Sequence, residues 1–174
     1  MNRLLRNPIF IAVLTLLLIG LDQFSKALAV RFLMGSDPLV LWDGVFELRY
    51  LENRGAAFGL LQGQRTFFLV IGIVVFIAVL FLFRYLSPER LYWPLRLIAV
   101  FILAGAWGNM IDRIRNGYVV DFFYFKLIDF PIFNVADIYV TVGTAVLILL
   151  VLFYYKDEDL NDILVKRPKK EKQL

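Results

Sequence analysis

Two aspartates in the second half of the chain have neighbours that suit acid–base chemistry. Asp121 lies in the stretch YVVDFFYF and Asp137 lies in FNVADIYV, and neither has a lysine or arginine within four residues. Desolvation by such neighbours favours the neutral carboxyl group, and two carboxyls that face each other can share one proton. One could then activate a water as general base while the other protonates a carbonyl oxygen. This pattern indicates the chemistry of an aspartic protease.

Each aspartate also has an alternative explanation that the residues alone leave open. Asn134 could cap a helix, with Asp137 three residues further on, near the positive end of the helix dipole. Asp121 could be a loop carboxylate that accepts hydrogen bonds from backbone amides. Asp129, in LIDFPIF, is a third acid of the same kind, with only Lys126 nearby.

The composition excludes most other catalytic centres. The chain has 174 residues, no histidine and no cysteine, so a Ser-His-Asp triad, a thiolate nucleophile and a histidine zinc site are all ruled out. We expect no metal and no cofactor. Catalysis would rest on Asp/Glu, Lys, Tyr, Ser/Thr or the backbone.

Four apolar runs are long enough to cross a bilayer, which takes about 20 residues each. They cover about 9–30, 66–86, 93–112 and 136–155. The sequence therefore predicts an all-α membrane protein with four transmembrane helices and a small extracytoplasmic β-hairpin platform. We assign residues 1–155 to a single catalytic domain and 156–174 to a basic cytoplasmic tail.

Basic residues predict the orientation of these spans. They concentrate in three segments that would share one side: Arg3, Arg6; Arg84, Arg90, Arg96; Lys156, Lys166, Arg167, Lys169, Lys170, Lys172. We therefore expect both termini to be cytoplasmic and the candidate acids to lie near the outer face. A cleavable signal peptide ending at ALA (27–29) is the alternative, but it would leave an odd number of spans.

Two segments lie on the outer side in this topology. In the first, about 39–62, Asp43-Gly44 is a two-residue turn signal, and Phe46, Leu48 and Tyr50 alternate with charged residues. This pattern predicts a hairpin with a half-buried second strand. The second segment, about 113–135, is aromatic and punctuated by proline, and we expect an outer loop there.

Other charged residues near the helix ends have candidate partners. Asp22 and Lys26 are four residues apart, which places them on one helix face. Asp112 has Arg113 beside it and Arg115 three residues on, and this cluster should keep Asp112 ionised.

Small and amide residues on the same helix suggest packing and binding roles. Gly105 and Gly108 would allow a neighbouring helix to approach closely. Asn109 lies one turn before Arg113, so both would belong to a polar network at the outer end of the third helix, either structural or holding a substrate backbone.

Several motifs in order resemble the lipoprotein signal peptidase family, also called signal peptidase II. They are LDQFSK (21–26), NRGAAFG (53–59), GNMIDRI (108–114), GYVVDFF (117–123) and FNVADIYVTVG (133–143). The resemblance extends from about residue 8 to 155. It implies a bacterial plasma-membrane aspartic endopeptidase that removes the signal peptide of diacylglyceryl-modified prolipoproteins, immediately before the lipidated cysteine.

The resemblance also implies roles for individual residues. Asp121 and Asp137 would be the catalytic pair, which demotes Asp129. The residues that would line or brace the site are Asp22, Lys26, Asn53, Gly55, Asn109, Asp112, Arg113 and Asn134. Arg54 departs from the family, which usually has threonine at that position.

The implied partners are lipid-modified prolipoproteins, membrane phospholipid and globomycin-type cyclic peptide inhibitors, with no nucleic acid, and we expect a monomer.

A small ion- or proton-coupled transporter is the alternative function, because membrane acids often relay ions. A structural or assembly protein would not need two unpaired carboxylates. A Ser/Lys peptidase is disfavoured because Ser25 and Lys26 are adjacent and point to different helix faces.

Overall fold

The computed structural model describes residues 7–55, 61–87 and 89–161. Four long helices and a small sheet make up this part of the chain. The elements are α1 (Pro8–Leu33), β1 (Leu39–Trp42), β2 (Phe46–Asn53), α2 (Arg65–Tyr85), α3 (Trp93–Arg115), β3 (Val119–Phe125), α4 (Val135–Leu149) and α5 (Asp157–Asn161). A π-helical turn, Leu150–Tyr154, extends α4, and short 3₁₀ turns cover Arg90–Tyr92 and Lys126–Ile128.

The predicted fold class is confirmed. Four helices are long and apolar enough to span a membrane, and they coincide with the four predicted spans. Three basic residues used for the orientation, Arg84, Arg90 and Arg96, lie in or beside the link between α2 and α3. The N-terminal arginines and the lysine-rich stretch 162–174 lie outside the described residues.

The helix α3 is the centre of the bundle. It packs against α1, α2 and α4. More than half of its span is buried, 56%, compared with 11% for each of the other three. The outward faces of those three helices are lined by exposed aliphatic and aromatic side chains, which suits contact with lipid.

The sheet lies at the end of the bundle where α1 and α3 finish and α4 begins. Its strands run antiparallel in the order β1-β2-β3. The hairpin prediction is confirmed, but its loop has three residues, 43–45, because Trp42 pairs with Phe46. Gly44 lies in this loop with φ +69, a conformation that glycine adopts without strain.

Part of the segment predicted as an outer loop is the strand β3. Leu51 of β2 pairs with Asp121, and Asn53 pairs with Val119. The alternation predicted for β2 also has one exception. Glu47 is buried, and its carboxylate forms an ion pair with Lys126 at 3.3 Å.

The prediction that glycines allow close helix packing on α3 is confirmed. A Cβ at Gly105 would overlap the carbonyl oxygen of Ala136 and the side chain of Val140. A Cβ at Gly108 would approach the Asp22 carboxylate and the Cβ of Ala136. The backbones of α3 and α4 can therefore meet only where a side chain is absent.

We expect Gly105→Ala to lower stability by about 1–3 kcal/mol, because the added methyl group must push α4 away. Thermal melts in one detergent would measure this effect. Gly20→Ala is the matched control, since α1 leaves open space around that position. Equal melting temperatures for the two variants would contradict the packing argument.

Candidate active site

The strand β3 places Asp121 inside the protein, where its side chain is 1% exposed. Both carboxylate oxygens accept hydrogen bonds from amide side chains. Asn53 Nδ2 donates to Oδ2 at 2.8 Å, and Asn134 Nδ2 donates to Oδ1 at 2.6 Å. Amide donors from two different segments therefore fix the orientation of this carboxylate.

Asp137 lies in the first turn of α4. Its Oδ2 accepts from the backbone N–H of Asn134 at 3.1 Å, and the Asn134 side chain accepts from the Asp137 N–H at 3.0 Å. The cap proposed as an alternative is thus present, and it is a complete capping box. The other carboxylate oxygen of Asp137, Oδ1, accepts from Asn109 Nδ2 at 2.8 Å.

Asn134 joins the two acids. Its side chain contacts Asp121 and its backbone contacts Asp137, and its own side chain is fully buried. The same amide also donates to Asn109 Oδ1 at 3.1 Å. A capping residue of α4 is therefore also the link between the candidate catalytic carboxylates.

Burial, together with the negative charge of Asp137, raises the pKa of Asp121 from 3.8 to about 7. The hydrogen bonds from Asn53 and Asn134 and the positive charge of Lys26 act in the opposite direction. Asp121 can therefore hold a proton close to neutral pH.

This pKa predicts two pH effects. The folded pKa lies above the unfolded value, so the stability that Asp121 contributes is full below about pH 3.8 and is lost as the pH rises through about 7. The Asp121→Asn protein should therefore lose less stability than the wild type when the pH rises from 4.5 to 8, as measured by thermal melts. Any reaction that needs the shared proton should also slow above about pH 7.

Thermal melts of wild type and Asp121→Asn across pH, in one detergent, would measure the first effect. Single-turnover rates of the catalysed reaction across the same pH range would measure the second. Asp129→Asn is the control, and its pH dependence should match that of the wild type. Identical pH dependence of melting in wild type and Asp121→Asn would contradict the raised pKa.

A buried lysine connects three groups beside the carboxylates. Lys26 Nζ lies 2.9 Å from Asp22, 3.0 Å from Asp112 and 2.9 Å from Asn109 Oδ1. Asp22 also accepts from the backbone N–H of Ala136 at 2.9 Å. The predicted pairing of Asp22 with Lys26 is confirmed. The hydrogen bond from Ala136 to Asp22 ties α1 to the start of α4.

The ion pair of Asp112 is not with the arginines predicted for it, although Arg113 interacts with it electrostatically. The neighbouring arginines were expected to keep it ionised, but its ion pair is with Lys26 on α1. It also accepts from Gln23 Nε2 at 2.9 Å and from the Val120 N–H at 3.2 Å. The reason is geometric: Arg113 points to another part of the site and Arg115 is exposed.

Gln23 was missed by the sequence analysis. Its amide also donates to the Gly108 carbonyl at 3.1 Å. Gln23 follows Asp22 directly in the motif LDQFSK, so the sequence showed that it lies close to a predicted site residue. Its partners were not, because Gly108 lies 85 residues away in the sequence.

Arg113 closes the far side of the site. Its guanidinium donates to the Gly55 carbonyl at 3.1 Å and lies 4.2 Å from the centre of the Phe68 ring. Gly55 N–H in turn donates to Asn53 Oδ1 at 2.9 Å. Hydrogen bonds and ion pairs thus connect all the site residues predicted from the sequence into one network.

Two predicted peripheral residues lie apart from this network. Asp129 is exposed at the end of a 3₁₀ turn and accepts from the Tyr124 hydroxyl at 2.6 Å. Arg54 is exposed, pairs with Glu52 at 3.0 Å and stacks over Tyr118 at 5.3 Å.

A cavity of about 570 Å³ opens beside both aspartates. Asn53, Gly55, Asn109 and Arg113 contribute polar groups to it. Most of its wall is apolar and comes from α2, α3, α4 and residues 130–133. The cavity therefore combines a mostly apolar wall, to which three helices contribute, with two carboxylates.

The chain is similar in sequence to proteins of one known family. The family model described as signal peptidase (SPase) II matches residues 14–153. The chain is 42% identical over 142 residues to the lipoprotein signal peptidase of Clostridioides difficile, covering 82% of this chain and 94% of that protein. It is 46% identical over 144 residues to that of Caldanaerobacter subterraneus, covering 81% and 94%.

A solved structure of a bacterial membrane enzyme, obtained by the in meso method at 2.3 Å resolution, has the same fold. Its TM-score is 0.70 at 29% identity, and the match covers 94% of this chain and 93% of that one. None of these matches supports the transporter alternative. The chain therefore belongs to the signal peptidase II family.

Proposed function

We propose that Asp121 and Asp137 are the catalytic dyad with which this chain cleaves diacylglyceryl-modified prolipoproteins immediately before the lipidated cysteine. The observation that carries the proposal is the bridge made by Asn134, which donates to both carboxylates. Both acids also line one cavity. The raised pKa of Asp121 supports a pair that shares a single proton.

The reaction follows from one proton shared by two carboxyl groups. The ionised carboxylate takes a proton from a water, and the resulting hydroxide attacks the carbonyl carbon of the residue before the cysteine. The protonated carboxyl gives its proton to the carbonyl oxygen, which yields a neutral tetrahedral intermediate. Proton transfer to the cysteine nitrogen then allows the C–N bond to break.

The supporting residues hold this pair rather than reacting. Asn53, Asn109 and Asn134 orient the carboxylates through their amide donors. Lys26 keeps the Asn109 amide in place, with Asp22 and Asp112 as its counter-ions. Arg113 and Asn109 face the cavity, where they could donate to backbone carbonyls of a bound peptide.

The cavity suits a substrate that stays partly in lipid. Its apolar wall between α2 and α4 could accept the signal peptide or an acyl chain, while the scissile bond meets the dyad at the outer interface. Phospholipid would surround the exposed helix faces, and the chain would act as a monomer. Globomycin-type cyclic peptides would compete with substrate for this cavity.

Cleavage of a purified lipid-modified prolipoprotein would test the proposal. Wild-type protein should convert it to a product with a gel shift, and globomycin should block the conversion. The same precursor without the diacylglyceryl group is the control and should remain uncut. Absence of cleavage by a folded protein in lipid would refute the proposed activity.

We also propose that the sheet and the dyad face the outside of a bacterial plasma membrane, with both termini in the cytoplasm. Arg84, Arg90 and Arg96 lie in or beside the link between α2 and α3, at the end of the bundle opposite the sheet. Single cysteines can test this, because the chain has none.

Cysteines that replace Asp37 and Lys126 should react with an impermeant maleimide in intact cells. Cysteines that replace Glu89 and Asp157 should react only after the membrane is opened. All four positions are exposed, so differences in labelling would reflect the side of the membrane. Labelling of Glu89→Cys in intact cells would overturn this orientation.

A further inference from the structure

The arginine at the edge of the site is held by an aromatic ring from a separate helix. Arg113 belongs to α3, and its guanidinium carbon lies 4.2 Å from the centre of the Phe68 ring. Phe68 lies in the first turn of α2, is half-buried and lines the cavity. A guanidinium over a ring face is attracted by the ring quadrupole, and this attraction strengthens where water is excluded. The ring therefore restricts where the guanidinium can lie.

Two hydrogen bonds lead from this guanidinium to a short turn after β2. Arg113 Nη2 donates to the Gly55 carbonyl at 3.1 Å. The N–H of Gly55 donates to Asn53 Oδ1 at 2.9 Å. Because Oδ1 is engaged in this way, the Asn53 Nδ2 group points to Asp121, to which it donates at 2.8 Å.

We propose that Phe68 is a positioning residue for the peptidase reaction: its ring holds Arg113, which fixes Gly55 and thereby the Asn53 amide against Asp121. This inference rests on the proposed function and deepens it by adding a residue that touches neither carboxylate. It also gives α2, which otherwise packs chiefly on α3, a defined connection to the site.

The connection has a measurable signature at Asp121. Asp137 on α4 raises the pKa of Asp121, while Lys26 on α1 and the amides of Asn53 and Asn134 lower it. Arg113 on α3 also interacts electrostatically with both acids. Loosening the Asn53 contact removes one of the lowering effects, so the pKa of Asp121 should rise.

The test compares Phe68→Leu with Phe68→Tyr in the purified full-length chain, using single-turnover cleavage of a diacylglyceryl-modified prolipoprotein. Phe68→Leu should slow cleavage by about 5- to 30-fold, the loss expected for a desolvated cation–π contact. The alkaline limb of its pH–rate profile should move to higher pH. Phe68→Tyr keeps the ring face and should retain a rate and profile close to those of the wild type.

Two further variants sharpen the result. Phe81→Leu removes an exposed ring from the same helix, far along α2, and should change neither rate nor profile. Asn53→Ala should move the alkaline limb in the same direction as Phe68→Leu. The double variant should be scarcely worse than Asn53→Ala alone, because both changes act through one contact.

A wild-type rate and profile for Phe68→Leu would overturn the inference. Equal losses of cleavage rate in Phe68→Leu and Phe68→Tyr would also overturn it, as would a slower Phe68→Leu whose alkaline limb has not moved. Each of these outcomes would indicate that Phe68 only fills space. If Phe68→Leu does not fold, Phe68→Met, which also lacks a ring, takes its place.

A second readout separates this inference from the proposed function. The pH at which thermal stability stops falling depends on the pKa of Asp121 and requires no substrate. This pH should be higher for Phe68→Leu than for Phe68→Tyr or wild type. Wild-type protein that does not cleave would refute the function, whereas unchanged melting profiles would refute the role of Phe68.

Discussion

Replacing either Asp121 or Asp137 by asparagine should slow cleavage by about 10³-fold or more, which in a gel assay is complete loss. Asparagine has nearly the shape of aspartate, but it can neither accept the proton of the attacking water nor return one. General acid–base catalysis alone contributes about 10²–10⁴-fold, and a shared proton makes both roles depend on both residues. Single-turnover cleavage of a lipid-modified prolipoprotein would measure the loss.

The double variant should be scarcely slower than either single variant, because residues that act as a unit are strongly non-additive. Asp129→Asn is the matched control, since Asp129 lies exposed outside the network. It should keep most of the activity. Thermal melts would establish that each variant is folded. Near-normal cleavage by folded Asp121→Asn or Asp137→Asn would refute the dyad, and an inactive Asp129→Asn would redirect the assignment.

The four helices were predictable because hydrophobic length alone specifies a membrane span. The pairing of Asp22 with Lys26 and the cap made by Asn134 were equally accessible, since both depend on spacings of three or four residues. Local spacing therefore predicted those parts of the site that lie within one helix.

The strand β3 was not predictable from alternation, because its first four residues, 119–122, are all buried. Val120 and Phe122 pack against Ala29 and Leu33 of α1 on one side. On the other side, Phe123 contacts Phe46 and Phe133, with ring centres 6.1 and 5.6 Å apart. A strand covered on two sides has apolar residues at successive positions, which resembles an aromatic loop in sequence.

The partners of Asp112 illustrate the same limit for charges. Arg113 beside Asp112 and Arg115 three residues on suggested the counter-ions, but a lysine on another helix provides the contact. Arg113 is adjacent to Asp112 and so points to a different helix face, whereas Arg115 is exposed and, among the residues described, pairs with no buried carboxylate at this site. Only the packing of α1 on α3 determines which cation reaches this carboxylate.

Replacing that lysine, Lys26, should cause a large loss of stability. Lys26 is 3% exposed, and its counter-ions Asp22 and Asp112 are 0% and 5% exposed at their side chains. Lys26→Met keeps the length of the side chain but removes the charge, which leaves two buried carboxylates without a cation. Breaking a buried ion pair from one side costs about 3–5 kcal/mol. We therefore expect a large fall in melting temperature.

A triple variant tests whether charge, rather than packing, causes this fall. Lys26→Met combined with Asp22→Asn and Asp112→Asn removes all three charges while the asparagine oxygens can still accept from Ala136 and Val120. It should recover much of the lost stability, because a neutral, well-packed replacement of a buried pair is often tolerated. Its cleavage should stay slow, since Asn109 has lost one of the two donors that orient its amide toward Asp137.

Arg54→Met is the control for removing a cation from an exposed pair. The Arg54 side chain is 59% exposed in its pair with Glu52, so its loss should change stability by only about 0–1 kcal/mol. Thermal melts of all variants in the same detergent would provide the comparison. Equal stability of Lys26→Met and Arg54→Met would contradict the prediction, because it would show that Asp22 and Asp112 do not depend on the charge of Lys26. The triple variant would then be no more stable than Lys26→Met.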